Sequence, residues 1–245
     1  MYSEQLVMRT RDCDLNGRWK PSAILECMQE VAIAHCDEIG LGRSVTDAHG
    51  VVWVLSRQHV ALSRLPRIRE RYTLETCAMP LKHLFFPRAH VFRDAAGGII
   101  GTACGLWLLM DVNTRSAVHE PYIVEHMPVE DPGCDVGMPG MARPLNDAPV
   151  VGQVVPRFTE FDLNGHVNNA RYMDWCWNAL GFDGLANREI AGFDVNYERE
   201  VRRGETIETR LCAEGDRVSF HGTVDGRRCF SIGITLRETD YVYRP

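Results

Sequence analysis

Hydrophobic positions along this chain recur with two spacings, one helical and one extended. Ile24, Met28, Val31 and His35 fall on one side of a helical pattern; Pro21 suits an early helical position and Gly40 can end the helix. Tyr172, Met173, Cys176 and Leu180 repeat that spacing later, with Asn168-Asn169 as N-cap candidates and Gly181 as the predicted stop. Alternating, β-rich segments follow each helix. The first set runs Val51 to Ser63, Tyr72 to Met79, Ala89 to Arg93, a turn at Ala95-Ala96-Gly97-Gly98, and Ile99 to Val112. The second runs Ile190 to Val201, Glu205 to Ala213, Val218 to Val224, an Asp225-Gly226 hairpin turn, and Cys229 to Arg237. The segment ending at Thr76 echoes the one ending at Thr209. Helix then strands, twice over, predicts an internally duplicated α+β unit.

Between the halves the pattern stops. Pro121, Pro128, Pro132, Pro139, Pro144 and Pro149 are half of the 12 prolines, and they share one glycine-containing stretch. It predicts an extended linker and a division into residues 1–120, 121–150 and 151–245. The 45% hydrophobic and 24% charged residues, with a mean hydropathy of −0.21, suit a soluble globular protein. Met1 to Asp14 is too polar for a signal-peptide core, and no apolar run approaches membrane-spanning length. The longest, Leu106 to Met110, suits a buried strand. Nine cysteines without a Cys-x-x-Cys pair argue against a disulfide framework or structural zinc and for a reducing cytoplasm. A net charge of −6 argues against non-specific nucleic-acid binding.

One stretch joins chemistry to position. Asp162-Leu163-Asn164-Gly165-His166-Val167-Asn168-Asn169 sets a carboxylate, a carboxamide and an imidazole at alternating positions just before the second helix. A helix N-terminus gathers backbone N–H groups suited to an oxyanion or a thioester carbonyl. Each residue alone also fits a plainer role: an Asx-turn, a capping Asn, a packed His. The same device occurs earlier as Asp14-Leu15-Asn16-Gly17-Arg18. There an arginine replaces His166, and arginine cannot shuttle protons near neutral pH. The first copy is therefore predicted to be silent.

Asp-x-Asn-x-His-Val-Asn-Asn-x-x-Tyr, ending at Tyr172, resembles the active-site loop of acyl-acyl carrier protein thioesterases. Its Asp-x-x-Gly-His-Val-Asn-Asn portion is shared with the wider hotdog-fold thioesterases. The resemblance covers essentially the whole chain. It implies a tandem (double) hotdog, two antiparallel sheets each wrapping a central helix and forming one continuous surface. It also implies hydrolysis of acyl-carrier thioesters in fatty acid biosynthesis, without a metal or organic cofactor. Asp162, Asn164 and His166 would be catalytic. The segment Asn196 to Val201 resembles the family's Tyr-x-x-Glu-Cys, which places a further catalytic carboxylate at Glu200, on the strand crossing the helix. Val201 replaces the family cysteine, so the resemblance favours water attack assisted by a carboxylate over a thiol nucleophile. Glu200 is assigned as general base, with Asp162 orienting His166 or sharing the base role. In the first half no glutamate is evident at the position equivalent to Glu200, near Arg67. Cys176 and Cys212 have no motif linking them to His166.

The family also implies that the N-terminal unit holds the acyl chain, against Ile24, Met28, Val31, Trp53 and Trp107; simple core packing is the competing role for each. An acidic carrier protein would dock on basic patches at Arg64, Arg67, Arg69 and Arg71, and at Arg199, Arg202 and Arg203, unless these only form a solvated charged face. Arg67, Arg69 and Arg71 alternate as on an extended strand. A homodimer is a further expectation, and no membrane span is. The rival readings are an acyl-CoA thioesterase of the same fold, a non-catalytic acyl-binding hotdog protein, and a hotdog dehydratase, whose fingerprint differs.

Overall fold

The structure, a computed structural model, describes residues 1–142 and 147–243. Pro144 of the predicted linker lies outside the described residues, as do Arg244 and Pro245. The first half contains strand β1 (Tyr2–Val7), helix α1 (Pro21–Glu38), a short helix α2 (Arg43–Ala48) and four strands. These are β2 (Val51–Leu62), β3 (Arg71–Ala78), β4 (Phe86–Asp94) and β5 (Ile99–Asp111), and a two-residue β6 (Ala117–Val118) pairs with β5. Helix α3 (Pro121–His126) follows. The second half has β7 (Val150–Val154), α4 (Arg171–Leu185), β8 (Arg188–Tyr197), β9 (Ile207–Glu214), β10 (Arg217–Val224) and β11 (Arg227–Glu238).

All the strands form one antiparallel sheet, with the path β1-β3-β4-β5-β2-β8-β11-β10-β9-β7. Read from the junction outward, the two halves have the same order. They meet where β2 pairs with β8, from Arg57 opposite Asn196 to Ala61 opposite Gly192. One core spans both: Ile24, Met28 and Val31 of α1 share a buried cluster with Tyr172, Met173 and Cys176 of α4. Burying a side chain of this size contributes roughly 1.5–3 kcal/mol, so the shared cluster couples the halves strongly. A smaller cluster of Leu41, Val51, Phe86, Leu109 and Ile123 takes in Trp53 and Trp107 at its margin.

Several sequence expectations shift. Pro21 is the first residue of α1, and Gly40 follows its C-cap with a φ of 70°. For α4 the N-cap lies one residue beyond the expected Asn168-Asn169 pair: it is Ala170, without a side-chain cap. Asn168 Oδ1 instead accepts from Ala170 N at 2.9 Å, forming a turn ahead of the helix. Gly181, the predicted stop, takes left-handed φ and breaks the helical path, yet a further turn carries it to Leu185. The strand predicted to reach Val201 ends at Tyr197, because Glu198 and Arg199 both donate their N–H to Cys229 O and the ladder stops there. The predicted linker opens with helix α3, which Glu120, the residue just before it, caps by accepting from Ile123 N at 2.8 Å.

Candidate active site

The residues from Phe161 to Ala170 form a stapled loop rather than an open connection. Asp162 N donates to His166 O at 2.9 Å, Gly165 N donates to Asp162 O at 3.1 Å, and Asp162 Oδ1 accepts from Asn164 N at 2.8 Å. The chain can close this turn because Gly165 has a φ of 76°, a conformation costly for other L-residues. Beyond it, Asn168 N donates to Glu160 O, and Tyr197 OH donates to Asn169 O at 3.1 Å. These bonds hold the loop at the start of α4. Asn164 projects into solvent and His166 is half-buried.

His166 and Glu200 meet. His166 Nε2 lies 3.1 Å from Glu200 Oε2. Asp162 has its carboxylate on the turn's own backbone, so the sequence-level pairing of Asp162 with the His166 ring gives way to His166 with Glu200. Glu200 sits in the loop after β8, correcting its expected place on a strand. Burial pushes its carboxyl up. The Arg115 guanidinium at 2.5 Å, His166, and Arg202 at 3.7 Å outweigh that and hold it below its ordinary range. Glu200 is thus firmly ionised near neutral pH.

Arg115 was not singled out from sequence. It belongs to the first half, in the turn after β5, where Asp111 Oδ1 accepts from Asn113 N and Thr114 N and Arg115 takes a φ of 58°. An Asx-turn at Asp111 was legible; a contact 85 residues away in sequence was not.

Val201 is fully buried, and its carbonyl accepts from Val167 N at 3.2 Å, tying the two site loops together. Cys176 is fully buried in the core, where burial pushes its thiol up and away from the nucleophilic thiolate. Cys212 is half-buried on β9. Among the described residues no group of three or more His, Cys, Asp or Glu could hold a metal ion.

Of the arginines, Arg64 bonds Glu70 at 2.6 Å and Asp94 at 3.2 Å, and Arg199 bonds Glu205 at 2.9 Å. Arg67 lies 3.6 Å from Glu189 and stacks on Tyr241 at 3.7 Å. Arg67, Arg69 and Arg71 do not share a strand face: Ile68 and Arg69 form a turn, Arg69 has a φ of 71°, and β3 begins only at Arg71. Arg69, Arg71, Arg202 and Arg203 are exposed.

Ile24, Met28 and Val31 are buried in the shared core, and Trp53 packs edge-on against Phe86 at 4.9 Å. Met28 and Trp107 also line a narrow cavity that reaches Asn169 and Ala170, at the end of the His166 loop.

The sequence model of the Acyl-ACP thioesterase N-terminal domain matches residues 1–123, and that of the C-terminal domain matches residues 146–229. Two curated relatives are chloroplastic plant proteins. An oleoyl-acyl carrier protein thioesterase 2 from Arabidopsis thaliana is 23% identical over 87% of this chain and 63% of its own length. A dodecanoyl-[acyl-carrier-protein] hydrolase from Cinnamomum camphora is 26% identical over 79% of this chain and 54% of its own. The chain thus spans little more than half the length of such relatives. Two solved structures share the fold. An acyl-ACP thioesterase from Bacteroides thetaiotaomicron has a TM-score of 0.87 at 22% identity, covering 96% of this chain and 97% of that one. A 12:0-ACP thioesterase from Umbellularia californica has 0.85 at 21%, covering 97% of both.

Proposed function

Because the chain belongs to the acyl-ACP thioesterase family, we propose that it hydrolyses the thioester of an acyl chain carried on acyl carrier protein, releasing free fatty acid. The observation that carries this reading is the His166–Glu200 pair at 3.1 Å, beside the N-terminal end of α4. Glu200, ionised beside Arg115, accepts the His166 Nε2 proton in a hydrogen bond. That leaves Nδ1 as the acceptor for the proton of an attacking water. The division of roles thereby changes from the sequence-level assignment: Glu200 is a poorer base than an unperturbed carboxylate, so it orients and His166 takes the proton. Water oxygen bonds to the thioester carbon, and the tetrahedral oxyanion is stabilised by Asn164 and by N–H groups of the loop and helix start. The oxyanion collapses, the carbon–sulfur bond breaks, and His166 returns the proton to the leaving thiolate. Asp162 keeps the turn in shape.

The repeated strand order and the two central helices support reading the fold as a double hotdog. Residues 1–120 then form a non-catalytic unit, 121–150 the connection, and 151–245 the catalytic unit. The carrier protein docks on exposed arginines, Arg203 beside the site and Arg69 and Arg71 in the first half, and added salt weakens that docking. A cytoplasmic location and a homodimer complete the proposal. Among the described residues no helix is long and apolar enough to cross a membrane.

The test is turnover by purified protein of one acyl chain on acyl carrier protein and on coenzyme A, with rapid quench and mass spectrometry of the enzyme. Faster release from the carrier protein, with no acyl group on any residue, is the expected result. Preference for coenzyme A would replace the substrate class. An acyl group on Cys176 or Cys212 would overturn the mechanism, and no turnover of either would overturn the enzyme reading.

A further inference from the structure

The cavity beside the His166 loop is not lined as an alkyl chain requires. Leu25, Met28, Leu55 and Ala170 give it apolar walls, but His90, Gln58 and Trp107 face it as well. Two buried atoms among these have no hydrogen-bond partner: His90 Nδ1 and Trp107 Nε1. Leaving such atoms unmet is costly, so a site that keeps them suits a polar guest.

Their chemistry says which guest. His90 is 2% exposed, and its Nε2 donates to Met28 O of α1 at 3.2 Å. Burial, reinforced by the neighbouring Arg88 guanidinium, pushes its pKa down to about 3, so the ring is neutral. With the proton on Nε2, Nδ1 offers a lone pair and accepts only. The indole nitrogen of Trp107 donates only. It lies back over Gly105, 3.0 Å from where a Cβ there would stand, so a side chain at position 105 would crowd it. Gly105 pairs with Arg88 on β4 and with Gln58 on β2, and the next residue inward on the same face, Ala103, pairs with His90. The unmet donor and the unmet acceptor therefore stand on adjoining positions of one sheet face, under α1. A hydroxyl both donates and accepts; a keto oxygen only accepts, and a methylene does neither.

We propose that this cavity is a subsite for a hydroxyl group on the acyl chain, which donates to His90 Nδ1 and accepts from Trp107 Nε1. The inference rests on the thioesterase reading for its acyl chain, and it narrows the substrate class to hydroxylated acyl thioesters. At about 10 Å³ the cavity has room for roughly one hydroxyl or water, so Met28 and Leu25 shift to admit the flanking carbons.

The experiment compares kcat/KM for carrier-bound chains of equal length that are unsubstituted, oxo-substituted, or hydroxylated at successive carbons from the thioester. One hydroxylated isomer should exceed the unsubstituted chain about tenfold, as one well-made buried hydrogen bond allows, with the oxo chain below it. In His90→Leu and in Trp107→Phe the ratio of hydroxylated to unsubstituted should fall to near one. Calorimetric titration of the wild-type protein with the free hydroxy acid and the plain acid reads the same preference without turnover, so it stands even if the thioesterase reading fails. Equal values for every isomer in both measurements would overturn the proposal and leave a water in the cavity. So would a preference that survives both substitutions.

Discussion

The two copies of the Asp-Leu-Asn-Gly turn share a backbone and differ in one side chain. Asp14 N donates to Arg18 O at 2.8 Å where Asp162 N donates to His166 O at 2.9 Å, and Gly17 and Gly165 both have a φ of 76°. Asp14 and Asp162 each close an Asx-turn onto the second residue after them. At the fifth position the copies diverge. The Arg18 side chain is 2% exposed, and its guanidinium donates to the carbonyls of Leu185, Ala186, Arg188 and Tyr241 at 2.6–3.1 Å. It thereby caps the C-terminal end of α4 and pins the tail. His166 has no such carbonyls to fill and faces Glu200 instead. The matching loops repeat the contrast. Glu70 accepts from Arg67 N and Arg64, and Glu205 accepts from Arg202 N and Arg199. Counting back equally from each glutamate sets Leu65, fully buried, opposite Glu200. On the proposed reading, one turn geometry serves either as a staple or as a proton-handling site, and the fifth side chain together with its partner decides which.

Breaking the partner should have the largest effect. Glu200→Gln keeps shape but leaves His166 without an anion, and kcat should fall about 10²–10⁴-fold, measured on folded protein. Leu65→Gln should instead cost stability by burying an unmet amide, which thermal unfolding would read. If kcat fell equally for both, the asymmetry would fail.

Arg115→Gln should act more mildly, through pH. Arg115 stabilises the ionised form of Glu200, so its removal raises the Glu200 pKa, and the acid limb of kcat/KM moves to higher pH. The sign holds for stability too. A carboxyl depressed in the folded state contributes stability above its unfolded pKa, lost as pH falls through the folded pKa; in the variant that contribution is smaller and is gone at a higher pH. Arg115→Lys should restore part of the profile. A profile unmoved by Arg115→Gln would remove Arg115 from the site.

The turn glycines should separate by the smallest amount. Gly165→Ala meets nothing within 4 Å and costs only the left-handed strain, roughly 1–2 kcal/mol. Gly17→Ala bears the same strain and also drives a methyl into Tyr243 Cβ, so its melting temperature should drop further, by displacing the tail that Arg18 holds. Equal shifts would mean the tail does not depend on this turn.

Much of this asymmetry was legible before the structure. Helical and alternating spacing located both long helices and most strands, and the paired motifs exposed the duplication, because these signals are local. The strand β1 was missed, since Tyr2 to Val7 alternates only weakly at an edge. The join of β2 to β8, Arg115 on Glu200 and the carbonyls around Arg18 all depend on contacts far apart in sequence. Arginine in place of histidine predicts a silent first copy; it could not indicate that Arg18 is a staple.

The most direct test of the account is to assay His166→Ala and Arg18→Met side by side, measuring turnover per folded molecule and thermal unfolding in the same samples. His166→Ala should lose most turnover with its melting temperature nearly unchanged. Arg18→Met should keep turnover per folded molecule while losing about 3–5 kcal/mol of stability, the cost of orphaning several buried carbonyls. Turnover lost equally in two well-folded variants would contradict the division of one geometry into staple and site.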